Sequence, residues 1–551
     1  MVSGPADTST SGAENVTAVL SMLHEPTCPN SATRCFRQQP VLSWTLQRLA
    51  MSRGIDSMAI VCWEDQLQEV TPIAAEYGSH VLAKGPRLRM AGIESVSAAR
   101  RWSDGWRGGL LFTCDFDLGF YGAWVAQIIQ KLNSAAVVLV DPSAGIVDPK
   151  IVDALVEHAR NRPNIELCFA QAPPGLGGVL LRPSLVQRLA AAEAHPGRLL
   201  HYLPDQPVRD PIGGDGCVPI PTAVARSTRN FRLDSDRQIR RMEQAAISLN
   251  GQLLNSDAED LLHRLDWSDE IDPLPRELVL ELNTSRATRP IFWPARAEPI
   301  IREPMRLDLA ERIFAQIGPA ADVRLTLTGV GDPLLHEQVF ELIAAAQHSG
   351  VQAIHLETDL LPEDPTVIDR LVASGIDVVS VILPAATAAT YAAVMGADRF
   401  AQAIENIRAF VTRRHELRQG VPILVPTFVK CQSNLAEMEV WYDQWLRALS
   451  AAVIRGPSDF AGLIEDCGVA DMSPPKRRAC NRLWSRMTIL SDGRVASCEQ
   501  DPTGRQIVGD VRTQSISEIW QRGLTSLRQS HKQGCVSDSR LCAACREWHR
   551  P

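Results

Sequence analysis

Hydrophobic residues along this chain fall in short dense runs separated by stretches of helical spacing, and the character of the runs changes twice. In the first block, residues 15–245, the runs VTAVLSML, SMAIVCW, GGLLFTCDF and AAVVLVD are apolar at odd and even positions alike. A parallel strand covered on both faces reads this way. Helical stretches such as Val41 to Arg53 lie between them, which predicts βαβ units and an α/β domain with a mostly parallel sheet. Proline and glycine predict loops around Pro173–Gly178 and Pro204–Pro221. Residues 246–275 are polar and acidic, and predict a linker with one helix.

The second block, residues 276–456, carries six strand candidates: ELVLELNT, VRLTLTG, QAIHLETD, DVVSVILP, PILVPTFV and AAVIRGP. Helical patterns separate them, and six such right-handed βα units predict a partial (β/α)6 barrel, whose chemistry sits at the C-terminal strand ends. From about Ser473 apolar periodicity weakens, arginine becomes frequent and cysteines appear, marking a small third unit over residues 470–551. So small a segment has little core of its own and needs a staple.

The 551 residues suffice for about three domains. A formal charge of -8 argues against general affinity for nucleic acid or an anionic membrane. The opening MVSGPADTSTSGAEN lacks the basic-then-apolar layout of a signal peptide, and no run approaches the roughly 18 apolar residues of a membrane span. The expected location is the cytoplasm, where thiols stay reduced.

That location bears on the thirteen cysteines, five of which lie in the last 72 residues. Cys542-Ala-Ala-Cys545 brings two thiolates onto one centre from a tight turn, and Gly493 permits a hairpin that returns Cys498 toward Cys480. Two separated pairs closing on one centre make Cys480, Cys498, Cys542 and Cys545 the candidate ligands, with Cys535 left over. Spacing alone does not separate a [4Fe-4S] cluster from a closed tetrahedral zinc site. The other eight cysteines are scattered and read as small buried hydrophobes.

The residues around the ligands resemble a known family. CNRLWSRMTILSDGRVASCEQD, then GDVRTQSISEIWQ, then CAACREW is similar to the SPASM/twitch auxiliary-cluster domain of radical S-adenosylmethionine (SAM) proteins, in its single-cluster form. The resemblance implies one [4Fe-4S] cluster with four protein ligands, serving as a staple or an electron relay, and a radical SAM-like barrel before it. In that family the first barrel strand leads into CxxxCxxC. Here, aligned on ELNT, the three positions are Arg286, Pro290 and Trp293, none of which ligates iron. The Gly-Gly-Glu-Pro stretch that handles the SAM amino group reads Gly329-Val-Gly-Asp-Pro333. The implied barrel has lost its catalytic cluster, so SAM is not expected as a cofactor. A replacement cluster from Cys431 and Cys467 has the wrong spacing. Arg286, Arg289, Arg296, Asp332, His336, His355, Glu357 and Asp359 lie near strand ends, as candidates for ligand binding or as a solvated rim.

The first block resembles nucleotide-sugar and cytidylyltransferase domains in VTAVLSML, QQPVLSWTLQRLAMSRGIDSMAIVC and CDFDLGFYGAWVAQII. The loop that would hold a triphosphate, HEPTCPNSATRCFRQQP, offers only Arg34 and Arg37 and no glycine. Asp115 and Asp117 could hold Mg²⁺ with a nucleotide, or Asp117 could cap the next turn. The basic run Arg226 to Arg241 reads as a solvated helix face. The reading that follows is an auxiliary-cluster protein on a degenerate radical SAM scaffold. It would bind a small-molecule, peptide or protein substrate, or pass electrons from a donor. A Mg²⁺-dependent nucleotidyl or sugar-nucleotide transferase and a radical SAM enzyme with an unusual SAM site are the alternatives.

Overall fold

The computed structural model describes residues 15–24, 32–205, 210–249, 251–265 and 271–550. The N-terminal fourteen residues and the part of the first loop around Cys28 lie outside them.

Six strands form the first sheet: β1 (Val16–Ser21), β2 (Ser57–Cys62), β3 (His80–Ala83), β4 (Ala136–Val140), β5 (Leu167–Phe169) and β6 (Val179–Leu181). Their spatial order is β3-β2-β1-β4-β6-β5, parallel through β4 and antiparallel at β6 and β5. The run GGLLFTCDF is not a strand. Leu111 and Phe112 take left-handed backbone, with φ of 57° and 61°, and the chain turns there. Its apolar residues are spent on the neighbouring domain instead, where Leu110 and Leu111 pack with the barrel's Val378, Val421, Ile423 and Val425.

The expected linker is also corrected. Leu249, Leu253, Ala258, Leu261 and Leu265 are buried in the first domain's core. A single guanidinium ties this segment down. Buried Arg48 donates to the carbonyls of Val147, Leu253, Leu254 and Ser256, at 2.5, 3.1, 2.6 and 2.8 Å. The basic run is solvated only in part: Arg226, Arg229, Arg240 and Arg241 are exposed, whereas Arg232 and Arg237 are buried.

Strands β7 (Glu277–Leu280), β8 (Arg324–Leu327), β9 (Ala353–Thr358), β10 (Val378–Ile382), β11 (Ile423–Val429) and β12 (Val453–Arg455) pair in sequence order, all parallel. Helices fill the five connections between them, from Leu307–Ile317 to Met438–Leu449, which makes a six-stranded open barrel. The tail continues the same sheet. Its strand β13 (Arg486–Ile489) lies parallel to β7 in the register Arg486↔Glu277 to Ile489↔Leu280. Antiparallel β14 (Arg494–Ala496) and β15 (Ile507–Asp510) follow. The free edge of β7 is thereby covered, as a long unpaired strand edge must be.

The first domain docks on the N-terminal end of the barrel strands through helix α1 (Ala91–Arg101) and the turn after it. Ala98 and Ala99 pack with Val378, Ile423 and Val425. Arg101 donates to Asp377 Oδ1 at 2.9 and 2.6 Å, while Oδ2 of Asp377 accepts the Ile354 N–H at 2.7 Å. Arg237 forms a bidentate pair with Asp322 and also reaches Asp272 at 2.8 Å. Asp104 meets Arg324 at 2.5 Å. A buried pair that loses one partner leaves an uncompensated charge. Arg101→Ala is therefore expected to cost about 3 kcal/mol, against about 0.5 kcal/mol or less for exposed Arg306→Ala. Urea unfolding and limited proteolysis of the two variants side by side check this, and equal behaviour would remove the pair from the docking.

Candidate iron–sulfur site and barrel chamber

The four candidate cysteines are set by short local devices. Cys480 lies just before the turn Arg482–Ser485, and its backbone N–H donates to His531 Nδ1 at 3.3 Å. Cys498 follows β14, on a hairpin turned at Gly493, whose φ of 89° suits glycine. Cys542 lies in the helix Arg540–Ala544, capped by Ser539, which accepts the Cys542 N–H at 3.2 Å. Cys545 ends that helix, and its Sγ accepts the Glu547 N–H at 3.3 Å. Arg477 donates to the carbonyls of Cys542 and Cys545 at 2.6 and 3.4 Å, pinning the Cys-x-x-Cys turn from outside.

All four thiols are free and partly buried, and each lies within electrostatic reach of another of the four. Burial is the main force on Cys498, Cys542 and Cys545. It pushes Cys498 well above the ordinary thiol range, raises Cys542, and moves Cys545 up to about 11. Without a cation these groups stay protonated; a bound cationic centre would convert them to thiolates and release the protons. Four sulfur donors of this kind fit an iron–sulfur cluster. Among the described residues, no three His, Cys, Asp or Glu side chains are gathered so as to hold a single metal ion. Cys535 is exposed on the loop after the helix Thr525–Gln533, with its Sγ turned toward the Gln533 carbonyl.

At the C-terminal end of β7 the barrel mouth is plugged by side chains. The guanidinium of Arg286 lies 3.9 Å over the ring of Trp293 and is paired with Asp359, which is wholly buried. The Thr288 hydroxyl donates to the other Asp359 oxygen at 2.5 Å. Asp332 accepts from the Thr358 hydroxyl and the Asp359 N–H at 2.8 and 2.9 Å. Burial, with Asp359 beside it, raises Asp332 above the usual carboxylate range. The glycines of Gly329-Val-Gly-Asp-Pro333 are kept by packing: a Cβ on Gly331 would meet Asn283 Oδ1 at 2.1 Å, and one on Gly329 would meet Glu281 Cγ at 2.5 Å.

The other strand-end candidates part ways. His336 is structural, bonded to the Met305 carbonyl at 2.9 Å and accepting the Gln338 N–H at 3.1 Å. Arg289 and Arg296 are exposed. His355 and Glu357 point into the barrel, where they join residues that were not singled out from sequence. The lumen is a chamber of about 1340 Å³. Its walls carry Glu277 and Glu281 from β7 and the residue after it, Arg324 and Thr326 from β8, and Arg486 and Thr488 from β13. The signal was present in RLTLT and HLE, where polar residues recur at every second position, and in ELVLE, whose glutamates four apart share one face of the strand.

Three parts of the chain enclose this chamber. Trp102 to Asp104 of the first domain form its floor, with Trp102 edge-on to His355 at 5.4 Å between ring centroids. Residues 456–460 and 466–472 and the tail's Glu499–Pro502 and Arg546–Arg550 close the other end. The lining charges are paired: Glu357 with Arg455 at 2.7 Å, Arg486 with Glu277 at 3.0 Å, and Glu499 with Arg486 and Arg482 at 2.8 and 3.0 Å. Burial works against the Glu499 carboxylate, yet Arg482 and Arg486 hold it below its usual range. Glu499 directly follows Cys498, so the chamber wall adjoins the thiol cluster.

In the first domain the structure does not bring Asp115 and Asp117 to a common point. Asp115 meets Arg232 at 3.1 Å, and Arg232 also meets Asp234 at 2.9 Å and Asp141 at 3.8 Å. A guanidinium thus lies among three carboxylates, where a cation is already supplied. Asp117 accepts the N–H groups of Cys114 and Gly197 at 2.7 and 2.9 Å and pairs with His195 at 3.0 Å. Arg34 pairs with Asp236, and Arg37 donates to the Ala246 carbonyl at 2.9 Å.

Comparison with known proteins places the tail. Residues 480–546 match the family model of SPASM, an iron–sulfur cluster-binding domain. An uncharacterized protein of Treponema pallidum (strain Nichols) is 25% identical over 291 residues, covering 50% of this chain and 77% of its own. Streptococcus suis SuiB bound to S-adenosylmethionine is 14% identical, over 54% of this chain and 77% of its own, with a TM-score of 0.40. A Leptospira borgpetersenii cytidylyltransferase is 13% identical, over 45% and 91%, with a TM-score of 0.31. Among the described residues, no helix is long and apolar enough to cross a membrane. Residues 480–546, which contain all four candidate cysteines, are thus similar to the SPASM iron–sulfur cluster-binding domain.

Proposed function

We propose that this chain is a cluster-bearing binding protein that holds a polar ligand in its barrel chamber and does not cleave S-adenosylmethionine. The observation that carries the reading is the Arg286–Trp293–Asp359 plug. It stands at the positions aligned with the family's catalytic cysteines, and arginine and tryptophan offer only N–H donors there. A [4Fe-4S] cluster held by Cys480, Cys498, Cys542 and Cys545 would supply electron transfer and would staple the tail, with no open iron for a substrate.

The chain's own residues supply recognition. Glu277, Glu357 and Glu499 alternate with Arg455, Arg482 and Arg486 around the wall, so a ligand carrying both donors and acceptors matches it. A volume of about 1340 Å³ exceeds the usual small-molecule pocket of about 300–1,000 Å³ and accommodates a peptide segment or a large metabolite. The first domain serves as the floor of that chamber, and its carboxylates are committed to Arg232 and His195.

Anaerobic purification with iron, sulfide and zinc analysis tests the cofactor, and incubation with S-adenosylmethionine and dithionite tests the chemistry. About four irons and four sulfides per chain are expected, with no 5′-deoxyadenosine. About eight irons together with the cleavage product would sink the proposal, whereas one zinc and no sulfide would make the tail a structural zinc module. Cys542→Ala is expected to lose the visible chromophore and to leave residues after Ser473 sensitive to protease, since the site does not persist without its metal. A resistant tail in that variant would contradict the stapling role. Arg286→Ala leaves Asp359 buried without its cation and is expected to cost about 3 kcal/mol of stability. An unchanged urea midpoint would show that the plug is not a structural replacement for the cluster.

A further inference from the structure

One pair of cysteines outside the cluster site is close enough to react. Cys431 follows β11 at the C-terminal end of the barrel and is fully buried. Cys467 lies on the segment that joins β12 to the tail and is partly exposed. Their Sγ atoms are 3.5 Å apart across 36 residues of chain, with both thiols free. The backbone holds them in register: Cys431 bridges antiparallel to Gly468, and the Gln432 N–H donates to the Cys467 carbonyl at 3.1 Å. The Asn434 side chain accepts the Cys431 N–H at 2.8 Å and fixes that side of the pair. A disulfide places its sulfurs about 2.05 Å apart, so the pair needs to close by about 1.5 Å.

We infer that Cys431 and Cys467 are a redox-active dithiol that exchanges with external disulfides, with Cys467 the attacking sulfur and Cys431 the resolving one. The Cys467 thiolate attacks one sulfur of a disulfide R–S–S–R′. That bond breaks, a mixed disulfide forms on Cys467, and R′–S⁻ leaves and takes a proton from water. Cys431 then loses its proton to solvent and attacks Cys467, forming the Cys431–Cys467 bond and expelling R–S⁻. Two protein thiols are oxidised and one external disulfide is reduced to two thiols; a dithiol reverses the sequence. The hydrogen bond between the sulfurs agrees with these roles, lowering the Cys467 thiol and raising that of Cys431. An attacking thiol is partly exposed and low in pKa, and its resolving partner is sheltered.

The bond would fasten a wall of the chamber. Asp466 and Gly468, on either side of Cys467, line the lumen, and Asp466 pairs with Arg546 at 2.8 Å, the residue after Cys545. Oxidation would therefore fix the segment between barrel and cluster domain, independently of what the chamber binds.

The test uses the full-length chain, purified anaerobically with its metal, equilibrated in mixtures of reduced and oxidised glutathione, alkylated and mapped by peptide mass spectrometry. The expected result is a Cys431–Cys467 cross-linked peptide that rises with the oxidised fraction and vanishes with dithiothreitol, while the visible spectrum is unchanged. Cys431→Ser is expected to accumulate glutathione on Cys467 at least tenfold over wild type, and Cys467→Ser to form neither product. Alkylation of both cysteines across the whole range in wild type overturns the inference. So does a Cys431→Ser chain without glutathione on Cys467, or cross-links confined to Cys480, Cys498, Cys542 and Cys545.

Discussion

The chamber exists because the first domain is locked against the barrel floor, and that lock is made of opposite charges, all but Asp104 largely buried. Arg101 with Asp377, Arg237 with Asp322 and Arg324 with Asp104 each join one domain to the other at the N-terminal ends of the barrel strands. Apolar packing around Ala98, Ala99 and Leu111 brings the surfaces together, but is small and non-directional. The ion pairs fix orientation, since a buried charge displaced from its partner is far costlier than a slipped methyl group. With the domain so fixed, Trp102 closes the bottom of the lumen and the row of polar side chains above it becomes a bounded space.

Much of the architecture was legible in the sequence because parallel strands and barrel repeats leave dense apolar runs at regular intervals. All six barrel strands coincide with such runs. The first domain was less legible for a specific reason. GGLLFTCDF is apolar because it faces the barrel, and a run buried by another domain is indistinguishable by pattern from a strand buried in a sheet. Likewise Arg232 and Arg237 belong to a basic run that looks solvated, and only tertiary structure supplies the aspartates that bury them. The segment after residue 245 looked like a linker because of its polar and acidic composition, yet Leu249, Leu253, Leu261 and Leu265 are buried and Arg48 anchors its carbonyls from the opposite side.

The sites show the same division. The four tail cysteines stand out by spacing as candidate ligands, because cysteines have few other reasons to cluster in a segment poor in core. The barrel mouth was legible only as an absence of ligands at Arg286, Pro290 and Trp293. What fills the space is a cation stacked on an indole of the same loop and paired with a carboxylate some seventy residues further along the chain. Glu277, Arg324, Thr326, Arg486 and Thr488 were overlooked for a simpler reason: each lies inside a strand that the eye reads by its hydrophobic members.

The strand that joins the tail to the barrel bears on how such proteins can be taken apart. Family similarity begins at Cys480, yet six residues later β13 is already a member of the barrel sheet, hydrogen-bonded along β7. The boundary of recognisable ancestry is therefore not a boundary of folding. A tail grafted onto another scaffold would carry a strand without its neighbour, and a barrel cut before the tail would bare an apolar edge. Portability here belongs to the barrel and tail together.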